Sequence, residues 1–353
     1  MISALQYKAI DLLKNLIKTP SFSKEEDATA QILEDWFRAE GMVCHRKLNN
    51  VWSINKHFDQ TKPTILLNSH HDTVKPNSAY TKDPFLPEEA DGKLYGLGSN
   101  DAGGCLVGLM AAFSYFYEKE NLAYNFVMAA TAEEEISGDH GIAFTLPLLP
   151  KIDIAIVGEP TMLDMAIAEK GLVVFDCSIK GTPGHAAHIT NDKNPIYKGL
   201  QDLEWFNSYT FSKVSETLGP VKMTVTQINA GKQHNVVPSE LHFVVDTRVN
   251  DQYSNQEVLE IVKKHTSSKV KERSLHLNSS FINPDHKIVK AGIKLGKKTY
   301  GSPTLSDQCR LTCQSLKVGP GDTLRSHSAD EFIYIQEIKD GVQFYIDLLS
   351  EIV

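Results

Sequence analysis

No run of apolar residues in this chain approaches the roughly 20 that a membrane-spanning helix needs. Positive charge is in short supply too. Against 44 Asp and Glu stand 36 Lys and Arg, a net charge of −8. That balance argues against nucleic acid or an anionic membrane surface as the main partner. It does not bar an anionic substrate, which responds to the local field. Cysteine is scarce: Cys44, Cys105, Cys177, Cys309 and Cys313 are odd in number and widely spaced, and they read as reduced thiols. The Cys309/Cys313 pair has helical spacing but no second Cys/His pair beside it, so it does not read as a zinc knuckle. The opening segment, MISALQYKAIDLLKNLIKTPS, has neither a continuous apolar stretch nor a small-residue cleavage site, so it is not a signal peptide. A cytoplasmic location is expected. Repeats and low-complexity tracts are missing as well. What is left, 41% hydrophobic and 23% charged over 353 residues, is an ordinary globular composition with room for one or two domains.

Periodicity supplies the elements. Leu5, Ala9, Leu12, Leu13, Leu16 and Ile17 share one helical face, and Thr19-Pro20 stops that helix. Ser23 and Glu26 have capping-box spacing and are expected to open a second helix carrying Ile32, Leu33, Trp36 and Phe37, closed by Gly41. Strands are expected at 43–48, 51–55 and 64–69, then a helix at 103–118 and central strands at 124–131 and 153–158. This alternation predicts an α/β sheet, at least partly parallel. Beyond residue 167 the strands alternate polar and apolar residues: 172–181, 221–231, 241–249 and 270–277, with helices at 195–208 and 255–266. A helix at 286–300, a short strand at 315–319 and a helix at 335–352 then return to the first pattern. The expected organisation is a discontinuous domain of residues 1–166 and 278–353, with a small α+β domain, 167–277, inserted in it.

The chemistry lies where the strands end. His70 and Asp72 in NSHHDTV, Asp101 in GSNDAGG, Glu134 and Glu135 in ATAEEEISG, Glu159 in IVGEPT and His327 in RSHSADEF form a donor set. Ligands of open α/β sheets gather at the carboxyl ends of strands, which is where several of these residues fall. Taken singly, each has a bland reading. His70 and Asp72 also fit a polar turn, Asp101 a helix cap, Glu159 an exposed turn, and His327 a surface histidine. Taken together, His70, Asp101, Glu135, Glu159 and His327 suit two zinc-like ions if one carboxylate bridges them. Asp72, two residues on, is placed to fix the tautomer of His70. Adjacent Glu134 and Glu135 can divide the labour, one binding metal and one acting as general base. His185 in GTPGHAAH is a candidate to stabilise an oxyanion, with His188 and His71 as rivals for that part. Arg248, Asn235 and the glycines Gly319 and Gly321 of the GPG stretch are candidate carboxylate readers.

These motifs together resemble the M20 family of metallohydrolases, the acetylornithine deacetylase/succinyl-diaminopimelate desuccinylase group. The likeness runs the length of the chain: His70–Val74, the Gly-rich Asp101 loop, the Glu pair, GEP, GTPGHAA, NVVP, DTR and the late His before a DE pair. It implies a zinc-peptidase-like mixed sheet flanked by helices and an inserted ferredoxin-like lid that makes a homodimer. It implies one cation, zinc or cobalt, on His70 and Glu159, another on Glu135 and His327, and Asp101 bridging them. Asp72 would orient His70, Glu134 would be the base, and His185 would support the oxyanion. Arg248, Asn235, Gly319 and Gly321 would hold the substrate carboxylate. Two departures bear on subgroup: no Lys closely follows Asp101, and Glu133 stands where Asp is common. The expected activity is removal of an N-acyl group from an amino acid, foremost N-acetyl-L-ornithine in arginine biosynthesis. Rival expectations are N-succinyl-ornithine, N-succinyl-citrulline or succinyl-diaminopimelate desuccinylation, a dipeptidase, and a non-catalytic acyl-amino-acid-binding protein.

Overall fold

The computed structural model describes residues 2–353. The chain divides into two compact units, Met1–Ile167 with Phe281–Tyr300 and Ser306–Val353, and Ala168–Ser280 with Gly301–Leu305. The placement of 278–280 and 301–305 differs from the sequence expectation, and hydrogen bonds explain it. Asn278 Oδ1 accepts from Asn255 N at 3.0 Å, and Ser302 O accepts from Lys170 N at 3.1 Å.

The sheet of the first unit runs in the order Cys44–Lys47, Asn50–Ile54, Asn125–Thr131, Thr64–His70, Ile154–Val157, Gln314–Lys317, Met165–Glu169. Thr64–His70 is parallel to both its neighbours, and Gln314–Lys317 is parallel to Ile154–Val157, while the flanking pairs are antiparallel. The mixed sheet expected from the sequence is therefore present. Its three central strands are buried along their whole length, which is why they read as solid apolar runs without alternation. Helices Ile2–Ile17, Gly104–Phe116 and Ile335–Ser350 contribute to one large core around Leu13, Leu109, Phe113, Phe126 and Tyr345. Gly104–Phe116 is buried on nearly every face, the state expected of a helix that is apolar all round. Gly108 permits a close helix contact there, because a Cβ would stand 3.0 Å from the Tyr345 ring.

The second helix departs from expectation. It spans Asp27–Ala39, its N-cap is Glu26, and no side chain caps it. Ser23 and Glu26 are drawn into tertiary bonds instead, described below. The 286–300 helix is shorter than its pattern and covers Lys287–Lys294, because Gly296 takes a left-handed φ of 80° and turns the chain into strand Thr299–Ser302.

The second unit has the order β-α-β-β-α-β: Gly171–Lys180, Pro195–Ser208, Lys222–Ala230, Glu240–Val249, Asn255–His265 and Lys269–Glu272. Its antiparallel sheet is arranged Lys222–Ala230, Glu240–Val249, Gly171–Lys180, Lys269–Glu272, the ferredoxin-like arrangement. Alternate residues of Gly171–Lys180 and Glu240–Val249 are buried, and Phe175, Phe243, Val245, Phe206 and Val258 form its core. Asn194 caps one helix, and a Ser254/Glu257 capping box opens the other. Among the described residues no helix is long and apolar enough to cross a membrane.

Candidate active site

Three parallel strands deliver donors to one end of the first unit's sheet. His70 is the last residue of Thr64–His70, Glu134 and Glu135 follow Asn125–Thr131, and Glu159 follows Ile154–Val157. Asp101 comes from the tight turn between Gly98, at φ 74°, and the helix starting at Gly104, and its peptide bond to Ala102 is cis. His327 comes from the segment before strand Phe332–Tyr334. The glutamate trio splits. Glu133 adopts φ 57° and turns its carboxylate to His140 at 3.4 Å. Glu134 lies 4.0 Å from His70 Nε2, and Glu135 lies 3.0 Å from His327 Nε2.

Two groups of three donors result. His70, Asp101 and Glu159 form one, and Asp101, Glu135 and His327 form the other. Asp101 belongs to both, with Oδ1 3.4 Å from His70 Nε2 and Oδ2 3.5 Å from His327 Nε2. His70 Nδ1 donates to the Asp72 carbonyl at 3.0 Å, which leaves Nε2 turned into the cluster. That Nε2 is buried and has no hydrogen-bond partner. An orphaned buried nitrogen facing three carboxylates is what a ligand awaiting a cation looks like, and the donor set fits two divalent ions sharing a carboxylate.

The electrostatics agree. Burial pushes the Glu134 carboxyl well above its usual range, with Glu159, Asp307 and Glu135 adding to the effect against the pull of His70. Burial also raises Glu159 to about 8, reinforced by Asp101. Burial alone would lower His70, but the carboxylates of Asp101 and Asp72, each 3.4 Å from a ring nitrogen, outweigh it and raise the imidazole well above its ordinary value. The hydrogen bond to Glu135 raises His327 to about 9. Crowded, buried negative charge of this kind favours positive charge at the centre of the cluster, which divalent ions would supply.

Asp72 does more than the sequence suggested. Its Oδ1 accepts from Glu134 N at 3.0 Å, and its Oδ2 from Glu135 N at 3.2 Å and Ser23 Oγ at 2.7 Å. The His70 ring is bonded to its carbonyl, with the carboxylate at 3.4 Å. Glu26 adds a second brace, accepting from Glu133 N at 3.2 Å and Asn49 Nδ2 at 2.7 Å. Buried Asp307, which the sequence reading passed over, accepts from Asn68 Nδ2 and Thr131 Oγ1, both at 2.8 Å. It thereby ties the strand ending at His70 to the strand leading to Glu134. No local pattern pointed to Asp307, because both partners are far away in sequence.

His71, the rival imidazole, is buried away from chemistry between Thr29 Oγ1 and the Asn49 carbonyl, and burial pulls it down to about 4. In the second unit His185 is exposed in a two-residue strand, where Val236 is its register partner. Asn235 is bound into the same turn, its carbonyl accepting from Ala186 N at 3.0 Å. The Arg248 fork is engaged by Asp246, with Nε at 2.9 Å and Nη2 at 3.2 Å. The anion nest expected of the GPG stretch needs correction at Gly319. Its N–H donates to Thr161 Oγ1 at 3.1 Å, which takes that amide out of ligand binding. Gly321 has a positive φ of 91°, and a Cβ there would also meet Asn100 Oδ1.

The sequence profile of peptidase family M20/M25/M40 matches residues 66–351. A succinyl-diaminopimelate desuccinylase of Rickettsia bellii is 26% identical, over 96% of this chain and 95% of the relative. Among solved structures, an aminopeptidase of Bacillus cereus superposes with a TM-score of 0.76 at 15% identity, covering 98% of both chains. A dinuclear metal-binding M20 peptidase of Bacillus subtilis superposes with a TM-score of 0.73 at 16% identity, again over 98% of both.

Proposed function

Because this chain belongs to peptidase family M20/M25/M40, we propose that it hydrolyses the amide bond of an N-acyl amino acid with two divalent cations at the site just described. It is an enzyme of that family, so the binding-protein reading is set aside. One observation carries the proposal. Two donor triads share Asp101, and Glu134, a carboxyl outside both triads, stands 4.0 Å from the orphaned His70 Nε2.

His70 and Glu159 would hold one cation, Glu135 and His327 the other, with Asp101 between them. Such ions, zinc or cobalt, would supply Lewis acidity that lowers the pKa of a water toward 7. Glu134 takes the proton of the attacking water and returns it to the leaving nitrogen. Asp72 keeps Glu134 and Glu135 in register by holding both of their amides. By motif His185, Asn235 and Arg248 of the second unit are assigned the oxyanion (His185) and the substrate carboxylate (Asn235 and Arg248), and Gly321 of the first unit is assigned to the carboxylate as well. A homodimer through that unit is supported by its edge strand Lys222–Ala230, which exposes Ile228. All five cysteines are free, in keeping with a cytoplasmic, reducing compartment.

For the acyl group, N-acetyl-L-ornithine was the leading expectation, and one observation favours an acyl group with its own carboxylate. Lys222 is the register partner of Arg248, and Lys170 is lowered by burial and by the charges of Lys222 and Arg248. Two lysines beside the Arg248–Asp246 pair leave a net positive charge that suits a dicarboxylate such as an N-succinyl amino acid. The curated relative's name points the same way.

The test is amine release from N-acetyl and N-succinyl ornithine, citrulline and diaminopimelate, and from a dipeptide, by chelator-stripped and reloaded protein. Turnover should vanish on stripping and return with two equivalents of zinc or cobalt. Glu134→Gln should keep both metals and lose about 10²–10⁴-fold in kcat. Undiminished turnover by either the stripped enzyme or Glu134→Gln refutes the mechanism.

A further inference from the structure

Glu331 lies four residues beyond His327, is 1% exposed, and has no place in the chemistry so far. Burying a carboxylate is costly unless strong hydrogen bonds meet it. Three backbone amides do so. Gly98 N donates to its Oε2 at 3.0 Å, and Asn100 N and Asp101 N donate to its Oε1 at 2.8 and 2.9 Å. Its own carbonyl accepts from Gly96 N at 3.0 Å. The three side-chain bonds land on the turn that presents Asp101, and the backbone bond lands two residues before it. Glu331 therefore joins the Asp101 turn to the segment carrying His327.

The consequence is unequal for the two triads. Of Asp101, Glu135 and His327, two sit on segments that Glu331 clasps. Of His70, Asp101 and Glu159, only Asp101 does, while His70 and Glu159 follow buried sheet strands. The His327 side chain is 56% exposed, so packing does little to hold it and its backbone must be set from elsewhere.

We propose that Glu331 is a positioning residue for the second cation, acting through Asp101 and His327 without touching metal or substrate. The proposal rests on the two-cation reading above. A glutamine in this place has one acceptor oxygen and one NH₂ group. If its oxygen keeps Asn100 and Asp101, the NH₂ faces Gly98 N–H, donor against donor.

The experiment is titration of the stripped, full-length protein with zinc, counting bound equivalents by equilibrium dialysis and heat of binding. Wild type takes up two equivalents. Glu331→Gln keeps the first within about threefold and binds the second about 10–100-fold more weakly, the range for partners that orient ligands. Asp330→Asn is the control. Its carboxylate accepts from the amides of Thr81 and Lys82 on the same segment, and it should leave both equivalents intact. A wild-type chain that binds no cation overturns the two-cation reading itself. A wild type with two equivalents and a Glu331→Gln that binds both as tightly, or loses both alike, overturns only the role of Glu331. Equal loss of the second equivalent in Asp330→Asn does the same. Should Glu331→Gln not fold, Glu331→Asp keeps the carboxyl group one methylene shorter, and selective weakening of its second equivalent supports the proposal while unchanged binding overturns it.

Discussion

Replacing Asp72 by asparagine changes a single oxygen to NH₂ inside a carboxylate that accepts three hydrogen bonds. Asp72 is 1% exposed, so water cannot make up for a lost bond. Burial would raise this carboxyl, but His70, Ser23 and the Glu134 amide overcome that and hold it below its ordinary value. The four neighbours are arranged in pairs. Glu134 N–H and His70 face Oδ1, and Glu135 N–H and Ser23 Oγ face Oδ2. The Ser23 hydroxyl can rotate to accept a hydrogen bond, so the new NH₂ settles on its side. Glu135 N–H is then left buried against a donor. One charge-assisted bond is lost, about 1.5–3 kcal/mol, and one orphaned amide adds about 1–3 kcal/mol. The sum, about 2.5–6 kcal/mol, falls on the turn that presents both Glu134 and Glu135. At about 1.4 kcal/mol per tenfold, kcat at saturating metal should drop by about 10²–10³, with part of the penalty relaxed by backbone movement. Ser23→Ala, which leaves both amides bonded, should cost only about tenfold. Amide hydrolysis by reloaded protein measures this, with a denaturant midpoint to show that the fold survives. Turnover within threefold of wild type in Asp72→Asn would mean that the turn holds itself, and the bracing argument would fail.

The large core makes a separate prediction. Phe113 is fully buried, edge-on to Phe37 at 6.3 Å and Tyr117 at 5.8 Å, so Phe113→Ala should cost about 3–5 kcal/mol by denaturant unfolding, and a loss below about 1 kcal/mol would refute that packing. The thiols predict a pH effect. Burial, reinforced by Glu34, raises Cys44 to about 12, and burial raises Cys313 to about 11. Both lie above an unfolded thiol at about 8.5, so at pH 8 the folded chain carries thiolate fractions near 10⁻³ or less at these positions. Alkylation at pH 8, followed by peptide mass, should label the unfolded chain and spare both cysteines in the folded one. Full labelling of both in native protein would contradict it.

Four of the donors read from the sequence share one property: they end or follow buried strands. A run such as TILLNS announces its own burial, its end marks the rim of the sheet, and parallel neighbours bring successive rims together. His70, Glu134, Glu135 and Glu159 are of this kind. Ser23 shows where such reasoning stops. Ser-x-x-Glu has the spacing of a capping box, and nothing within four residues distinguishes a helix cap from a brace. The deciding partners, Asp72 and the Glu133 amide, stand 49 and 107 residues away. Glu331 is harder still. SADEF reads as a solvated acidic turn, and only the bend at Gly98 through Asp101 turns three amides toward one buried carboxylate. Asp307 repeats the pattern with Asn68 and Thr131, on two strands more than 170 residues upstream. Gly319 fails in the opposite sense, since its amide looked available until Thr161 was found to hold it. The donors proposed to hold cations can thus be read in part from the ends of elements. Residues that hold those ligands in place depend on long-range hydrogen bonds, whose two ends carry no local pattern. A search for further positioning residues should therefore begin from backbone amides beside each ligand and ask which buried side chain accepts from them. Applied to Asp101 that rule finds Glu331, and applied to Glu134 and Glu135 it finds Asp72.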